Sequence, residues 1–110
     1  MIEGVGGVMV PLTADKLVID WIADLHAEAA LDPLLVVGSY LGTISHTLTA
    51  VEAMRVRGLE PSAIIMSESP ESPVPLAETS ATIARFLPDV RIALVPRAPV
   101  PPVDLTGLLF

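Results

Sequence analysis

Apolar residues at helical spacing indicate the first element that the sequence predicts. In TADKLVIDWIADLHAEAA, residues 13–30, they recur three and four positions apart and therefore share one helix face. These residues are Val18, Trp21, Ile22 and Leu25. Thr13 is the expected N-cap, and Asp15 would suit the helix dipole in the first turn. The region should end before Pro33, because a residue that precedes proline resists the helical conformation.

Two later segments repeat the helical pattern. LGTISHTLTAVEAMRVRG, residues 41–58, ends on basic residues followed by Gly58, a typical helix end. Its predicted inward residues are Ile44, Leu48, Val51 and Met54. LAETSATIARFL, residues 76–87, predicts a third helix that Pro88 stops. The inward residues expected there are Thr79, Ile83, Phe86 and Leu87.

Short apolar runs between the helical segments predict buried strands. LLVVGSY is a continuous apolar run, the pattern of a strand that is covered on both faces. SAIIMS is a second candidate for a buried strand, and RIALV is a third predicted strand. A strand end is also expected at Ile2, and the proline-rich tail at residues 98–110 is expected to be irregular. Strands that alternate with helices favour an α/β fold with a parallel sheet and right-handed crossovers.

A parallel sheet would bring the segments that follow its strands to one edge. These segments are EGVGG, GSYLGT, SESPESP and PRAP, and ligands of such sheets bind beyond the carboxyl ends of the strands. The glycine cluster comes so early that we expect Met1 to be an internal residue of a strand ending MIEGVGG. The sequence thus predicts a chain that begins inside a domain.

Composition narrows the range of partners. The chain has 110 residues, 52% of them hydrophobic, which suits one domain with a real core. A formal charge of −7 disfavours nucleic acid and anionic membranes as partners. Without cysteine there is no disulfide or thiolate site, which agrees with a cytoplasmic location. No apolar run approaches the ~20 residues of a spanning helix, and no basic segment precedes Glu3 to indicate a signal peptide.

Four groups of residues are candidates for chemistry, each with a plainer alternative. Glu3 with its glycines could hold a metal beside a ligand-binding loop, or could be an exposed acid in a structural turn. The turn at Gly38–Ser45 could bind an anion at a helix N-terminus, or Thr43 or Ser45 could simply cap that helix. His46 could be a base or metal ligand, or a packed or solvated side chain. Glu68 and Glu71 could hold a metal, or belong to a solvated connection.

The segments IEGVGGVMVPL, YLGTISHTLTAVEAMRVRGL and AIIMSES, taken in this order and spacing, resemble the C-terminal half of the ATP-dependent dethiobiotin synthetase family. The leucine-glycine turn that leads into Ile-Ser-His-Thr carries most of the resemblance. It implies a P-loop NTPase-like, three-layer α/β fold, in which residues 1–110 form the C-terminal half of one domain.

The resemblance also implies a reaction. Members of the family join CO2 to 7,8-diaminononanoate with ATP and Mg²⁺, through a carbamate and a carbamic-phosphoric anhydride, and close the ureido ring of dethiobiotin. They are cytoplasmic homodimers. By the family motif, Glu3 would help to hold the metal, and the backbone of Gly6 and Gly7 would face the reacting amine and carbamate.

Two further sets of residues are implied in the same way. The helix N-terminus of one subunit would receive the carboxylate tail of the diamine bound by the other, through Leu41, Gly42, Thr43, Ile44 and Ser45. Ser67 and Glu68 stand where many relatives read the nucleotide base with an Asn-Asp pair. Pro96 and Arg97, a looser match, would lie near the purine and ribose.

The sequence lacks the glycine-rich phosphate loop and the substrate lysine of the family's N-terminal half, so the isolated chain is expected to be inactive. One alternative is a non-catalytic remnant, or a partner half that assembles with a separate N-terminal piece. Another is a related P-loop amidoligase such as a cobyrinate-amidating enzyme, against which the LGTISHTL turn argues.

Overall fold

The computed structural model describes residues 1–4, 6–97 and 103–108. Within them, three helices alternate with three strands, as the pattern predicts. The elements in chain order are α1 (Val18–Ala29), β1 (Leu34–Val37), α2 (Thr43–Val56), β2 (Ala63–Ser67), α3 (Leu76–Phe86), β3 (Ile92–Val95) and a short 3-10 helix (Thr106–Leu108). None of the described helices has the length and apolar character needed to cross a membrane.

The strands form one parallel sheet in the order β1-β2-β3, which confirms the α/β prediction. β1 pairs with β2 from Leu34 opposite Ala63, and β2 pairs with β3 up to Ser67 opposite Val95. Each crossover runs through a helix, so the carboxyl ends of all three strands lie on the same edge of the sheet. That edge carries the turns in which the sequence places its candidate residues.

The main core lies between one face of the sheet and helices α2 and α3. Its buried members are Val51, Ile64, Met66, Ile83, Leu87 and Val90. A second cluster joins Ile19 of α1 to Met54 and Leu59 near the end of α2. The predicted inward face of α2 is confirmed, since Val51 and Met54 are buried while Ile44 and Leu48 pack against the main core.

Three expectations from the apolar pattern are wrong. β1 is not covered on both faces, because it lies at the edge of the sheet and Val36 is 65% exposed. Phe86 is 64% exposed, although Thr79, Ile83 and Leu87 of the same predicted face are buried. Ile2 is not part of a strand and is largely exposed. The spacing of apolar residues predicts which way a side chain points. Its exposure depends on whether another helix or strand packs against that side.

The start of α1 also differs from its prediction. Thr13 is not the N-cap, because its Oγ1 accepts hydrogen bonds from the Asp15 and Lys16 N–H groups in a turn that precedes the helix. That turn closes through a bridge between Pro11 and Leu17. α1 therefore begins at Val18, and the Asp20 carboxylate accepts a hydrogen bond from the Leu17 N–H at 2.9 Å.

The proline-rich tail is described in part. Residues 98–102 and 109–110, for which irregular structure is predicted, lie outside the described residues. The 3-10 helix occupies Thr106–Leu108. It is held near the sheet by Arg91, whose Nη1 donates to the Gly107 carbonyl oxygen at 3.0 Å.

Asp20 links the start of α1 to the end of α2, and its charge should make stability depend on pH. Arg57 donates to Asp20 Oδ1 at 2.8 Å. This hydrogen bond, and then that from Leu17, lowers the pKa of Asp20 below its ordinary value of 3.8. A lowered pKa in the folded state gives stability that is complete above the unfolded value and is lost as pH falls below it.

We therefore expect Asp20→Asn to lower the urea midpoint of unfolding at pH 7, and the difference from the unmodified chain to shrink as pH falls below 3.8. Asp24→Asn is the matched control, because Asp24 is 68% exposed and pairs with Lys16 at 3.6 Å. A difference that is the same at pH 7 and pH 3 would show that the Asp20 charge is not its cause.

Candidate functional site

The turn between β1 and α2 is fixed by hydrogen bonds from its own residues. Thr43, which is 3% exposed, donates from Oγ1 to the Gly38 carbonyl oxygen at 2.6 Å. Its N–H donates to the Tyr40 carbonyl oxygen at 3.1 Å. Gly42 adopts a φ of 92°, a left-handed conformation that side chains rarely take. The hydroxyl and the glycine together set the position at which α2 begins.

No side chain caps α2. Its N-cap is Gly42, and the Thr43 hydroxyl is already used on Gly38, so the prediction that Thr43 or Ser45 caps the helix is wrong. Within the described residues, the Ile44 and Ser45 N–H groups have no hydrogen-bond acceptor. Unpaired N–H groups at the positive end of a helix dipole suit an anion, especially a carboxylate or phosphate. The turn therefore has the donors that the anion hypothesis requires.

An open groove of about 600 Å³ adjoins these donors. Residues 39–45 form one side, continued by Leu48 and Thr49 of α2, and the other side consists of Pro73, Val74 and Thr79. All five residues expected to bind the substrate line this groove together. Leu41 is 86% exposed at its rim. The groove pairs an apolar wall with a polar end, which suits a ligand that has an aliphatic chain and a terminal anion.

His46 pairs with Tyr40 beside the turn. The Tyr40 hydroxyl and His46 Nδ1 are 2.9 Å apart, and the ring centroids are separated by 5.6 Å. A Cβ added at Gly42 would lie 3.7 Å from His46 Cε1, so the imidazole stands directly next to the N-cap. The sequence alternative of a packed or solvated histidine is correct in that the His46 ring is exposed. It does not include the hydrogen bond to Tyr40.

The four residues expected near the nucleotide lie together at the carboxyl ends of β2 and β3. Ser67 is the last residue of β2 and pairs with Val95, after which Pro96 and Arg97 follow. The Glu68 N–H donates to the Val95 carbonyl oxygen at 2.9 Å and extends the pairing beyond the strands. Both pairs therefore meet at the same edge of the sheet as the turn before α2.

The glycine-rich N-terminal segment lies elsewhere. A Cβ at Gly4 would come within 3.2 Å of Val18 Cγ1, and the Ile19 N–H donates to the Val8 carbonyl oxygen at 2.8 Å. This segment runs beside the first turn of α1, and Glu3, Gly6 and Gly7 are not among the residues that line the groove. Val5 lies outside the described residues.

The acidic residues do not form a metal site on their own. Across residues 1–4, 6–97 and 103–108, no three His, Asp or Glu side chains come together as a set that could hold an ion. The metal hypothesis for Glu68 and Glu71 therefore receives no support. Glu3 is an exposed single carboxylate, and it fits Mg²⁺ only as one ligand of an ion held mainly by nucleotide phosphates, a common arrangement for this metal.

Comparison with known proteins extends the sequence resemblance. A family model described as an AAA domain matches residues 1–101. The ATP-dependent dethiobiotin synthetase BioD of Acidiphilium cryptum (strain JF-5) is 48% identical over 87 residues, which cover 79% of this chain and 37% of that protein. BioD of Caulobacter vibrioides (strain NA1000 / CB15N) is 45% identical over 98 residues, 89% of this chain and 42% of that protein. The chain thus spans about two fifths of the length of these curated relatives.

The parallel sheet, its helical crossovers and the loops at its carboxyl edge define an α/β protein of the P-loop NTPase-like class. The chain belongs to the AAA domain family, and the two relatives described above are ATP-dependent dethiobiotin synthetases. The resemblance to that enzyme family is confirmed.

Sequence reasoning missed several residues of this edge. Pro73 and Val74 line the groove, although the sequence places Pro73 only at the end of the segment SESPESP and assigns neither residue a role. Ser39 and Ser69 exchange two hydrogen bonds that join the turn before α2 to the loop after β2. The only signal in the sequence is that both serines follow the end of a strand within two residues.

The Thr43 hydroxyl should be needed to hold the turn in place. We expect Thr43→Val, which keeps the side-chain shape, to lower the free energy of unfolding by about 1 kcal/mol, because the Gly38 carbonyl loses its hydrogen bond. Urea unfolding measures this change. Thr49→Val is the control, since Thr49 is exposed on the same helix. Equal effects of the two substitutions would contradict the role given to Thr43.

Proposed function

We propose that this chain is the C-terminal part of a dethiobiotin synthetase, the ligase that converts 7,8-diaminononanoate, CO2 and ATP to dethiobiotin. The observation that carries the proposal is the uncapped start of α2 beside an apolar groove, built from the residues in which the resemblance is most specific. The similarity to dethiobiotin synthetases over most of the chain supports it.

The turn before α2 would bind the carboxylate tail of the diamine. The N–H groups of Ile44 and Ser45 are unpaired, and the Ser45 hydroxyl is a further donor at the same end of the helix. The aliphatic chain of the diamine would lie against Leu41, Ile44 and Leu48, where burial of methylene groups contributes to binding. A backbone site of this kind recognises the carboxylate by shape and dipole rather than by a full countercharge.

In the proposed homodimer, the diamine received here would be the one that reacts in the partner subunit. The exposure of Leu41 and Tyr40 supports this arrangement, because both stand at the rim of the groove where a second subunit would cover them. The net charge of −7 disfavours nucleic acid and anionic membranes as partners, and the proposed location is cytoplasmic, as the absence of cysteine would allow.

The nucleotide would lie across the ends of β2 and β3. Ser67 and Glu68 would face the base in place of the Asn-Asp pair of many relatives, with Pro96 and Arg97 beside the purine and ribose. The hydrogen bond from Glu68 to Val95 supports this grouping, since it holds the two loops side by side. Glu3 would supply one carboxylate to Mg²⁺, whose charge would offset that of the nucleotide phosphates. The backbone of Gly6 and Gly7 would face the reacting amine and carbamate.

We expect the chain alone not to form dethiobiotin, because its sequence contains no phosphate-loop lysine. The first test is to mix the purified chain with the part of the Acidiphilium relative that it does not match, and to assay with diaminononanoate, bicarbonate, Mg²⁺ and ATP. Turnover by the mixture would favour a partner half that assembles with a separate piece. Turnover by the chain alone would contradict the proposal.

A chimera permits the remaining tests. It is the Acidiphilium relative in which residues 1–101 of this chain, the range that the family model matches, replace the corresponding residues, while the relative's own unmatched part is retained. We expect it to form dethiobiotin, whereas a non-catalytic remnant would give a folded but inactive chimera.

A further inference from the structure

Two serines form a reciprocal pair between neighbouring turns at the carboxyl edge of the sheet. The Ser39 N–H donates to Ser69 Oγ at 3.0 Å, and the Ser69 N–H donates to Ser39 Oγ at 2.9 Å. Ser39 is 2% exposed, so water competes little for these bonds. Each hydroxyl accepts the other residue's backbone N–H, and the two backbones are therefore fixed relative to each other at a separation of 30 residues in the chain. We call this arrangement the serine pair.

The serine pair continues into the proposed nucleotide side. Ser69 follows Glu68, whose N–H donates to the Val95 carbonyl oxygen at 2.9 Å. A displacement of the loop after β2 would therefore move Ser69 together with the backbone that adjoins Pro96. Nothing else in the described loop, residues 68–75, donates to or accepts from the turn before α2.

On its other side, the serine pair continues into the proposed carboxylate site. Ser39 is covalently joined to Gly38, whose carbonyl oxygen accepts the Thr43 hydroxyl at 2.6 Å. Thr43 is the first residue of α2, directly before the unpaired N–H groups of Ile44 and Ser45. The space at Gly38 is closely filled, because a Cβ there would lie 2.6 Å from Ser69 Oγ and 2.7 Å from Tyr40 Cδ1. Hydrogen bonds and the peptide links Glu68–Ser69 and Gly38–Ser39 thus join Val95 to the start of α2 without a gap.

We propose that Ser39 and Ser69 are positioning residues that couple the nucleotide loop to the substrate-carboxylate turn, so that occupation of one side changes affinity at the other. This inference rests on the proposed function, which assigns the two sides. Ser69 is not among the residues that line the groove, whereas Ser39 is, so the Ser69 variants carry the test. Hydrogen bonds between two loops carry coupling only when both loops move as one unit, which is a measurable property.

The first test uses the chain itself and no ligand. Ser69→Ala removes the acceptor of the Ser39 N–H, and we expect the amide NMR signals of Gly42, Thr43 and Ile44 to shift. Ser72→Ala is the control in the same loop, since Ser72 donates only to the Val74 carbonyl oxygen and should leave those signals in place. Ser39→Ala should move the same signals as Ser69→Ala. If only the amide signals of Ser39 and of residues 68–70 shifted, the proposal would be wrong.

The second test measures coupling in the chimera. The Michaelis constant for the diamine is determined at low and at saturating ATP, and we expect the two values to differ by about fivefold or more, the usual size of such couplings. In Ser69→Ala, the ratio should fall towards one while kcat at saturation of both substrates changes little. In Ser39→Ala and in the double variant, the ratio should fall towards one as well. Ser69→Thr keeps the hydroxyl and should retain the ratio.

The two tests separate this inference from the proposed function. An inactive unmodified chimera would contradict the proposed function, and the amide signals of the chain would still decide whether the loops move together. If the chimera is active and the ratio of its Michaelis constants at low and saturating ATP is the same in Ser69→Ala, in Ser72→Ala and in the unmodified form, the proposed coupling is wrong. The proposed function would be unaffected by that result. If the ratio of the two Michaelis constants falls to one in each single serine variant and is the same in the double variant, the two serines act as one coupled unit.

Discussion

Glu3→Gln in the chimera is expected to lower kcat by roughly 10²-fold or more, as for other losses of a charge that stabilises a transition state through a metal. Glutamine keeps the shape of the side chain and removes its charge. Because Glu3 would be one ligand of an ion held mainly by phosphates, the effect should be largest at limiting Mg²⁺ and partly relieved by excess Mg²⁺. The measurement is the initial rate as a function of Mg²⁺ at saturating ATP and diamine.

Glu28→Gln is the control for a change of charge, since Glu28 is exposed at the end of α1. It should leave both the rate and its Mg²⁺ dependence unchanged. If Glu3→Gln behaved like Glu28→Gln at limiting Mg²⁺, Glu3 would be a structural turn residue, the alternative that the sequence left open.

Gly42→Val in the chimera should raise the Michaelis constant for 7,8-diaminononanoate by about tenfold or more, with little change in that for ATP. The φ of 92° is outside the range that a branched side chain accepts, so the turn must shift at a cost of about 1 to 3 kcal/mol. The N–H groups that follow Gly42 would then no longer point to one carboxylate. Space is not the cause, because an added Cβ would make only an ordinary contact with His46.

Gly58→Val is a matched control for backbone strain. Gly58 has a φ of 72°, an added Cβ meets nothing within 4 Å, and the residue lies beyond the opposite end of α2. Gly58→Val should lower stability as Gly42→Val does, but it should leave the Michaelis constants for the diamine and for ATP unchanged. A loss of ATP affinity in Gly42→Val with an unchanged constant for the diamine would place the turn at the nucleotide instead.

Local signals explain why most of the fold could be predicted. The three strands are short apolar runs between helices, and α2 and α3 end where Gly58 and Pro88 stop them. The start of α1 could not be predicted in this way, because the competing turn at Thr13 depends on the bridge between Pro11 and Leu17. The exposure of Val36 follows from the position of β1 at the sheet edge, which is set by strand order rather than by composition.

In the candidate site, too, residues brought together by one turn or by neighbouring strand ends could be predicted, whereas long-range contacts could not. Leu41–Ser45 are contiguous, so one turn places them together, and Ser67–Glu68 meet Pro96–Arg97 because adjacent parallel strands end at one edge. The serine pair and the wall at Pro73–Val74 are long-range contacts, for which a single sequence contains no local signal. Capping of α2 was the wrong expectation for a related reason, since the Thr43 hydroxyl donates backwards to Gly38.

Transfer of labelled carbon by the chimera tests the central claim most directly. The purified chimera is incubated with diaminononanoate, ATP, Mg²⁺ and ¹³C-bicarbonate, and the product is examined by mass spectrometry and ¹³C NMR. The proposed function predicts dethiobiotin that carries the label at its ureido carbonyl, with one ADP formed per ring closed. A folded chimera that gives no labelled dethiobiotin, while the unmodified Acidiphilium enzyme does so in the same assay, would contradict the claim that this chain supplies the C-terminal part of a dethiobiotin synthetase.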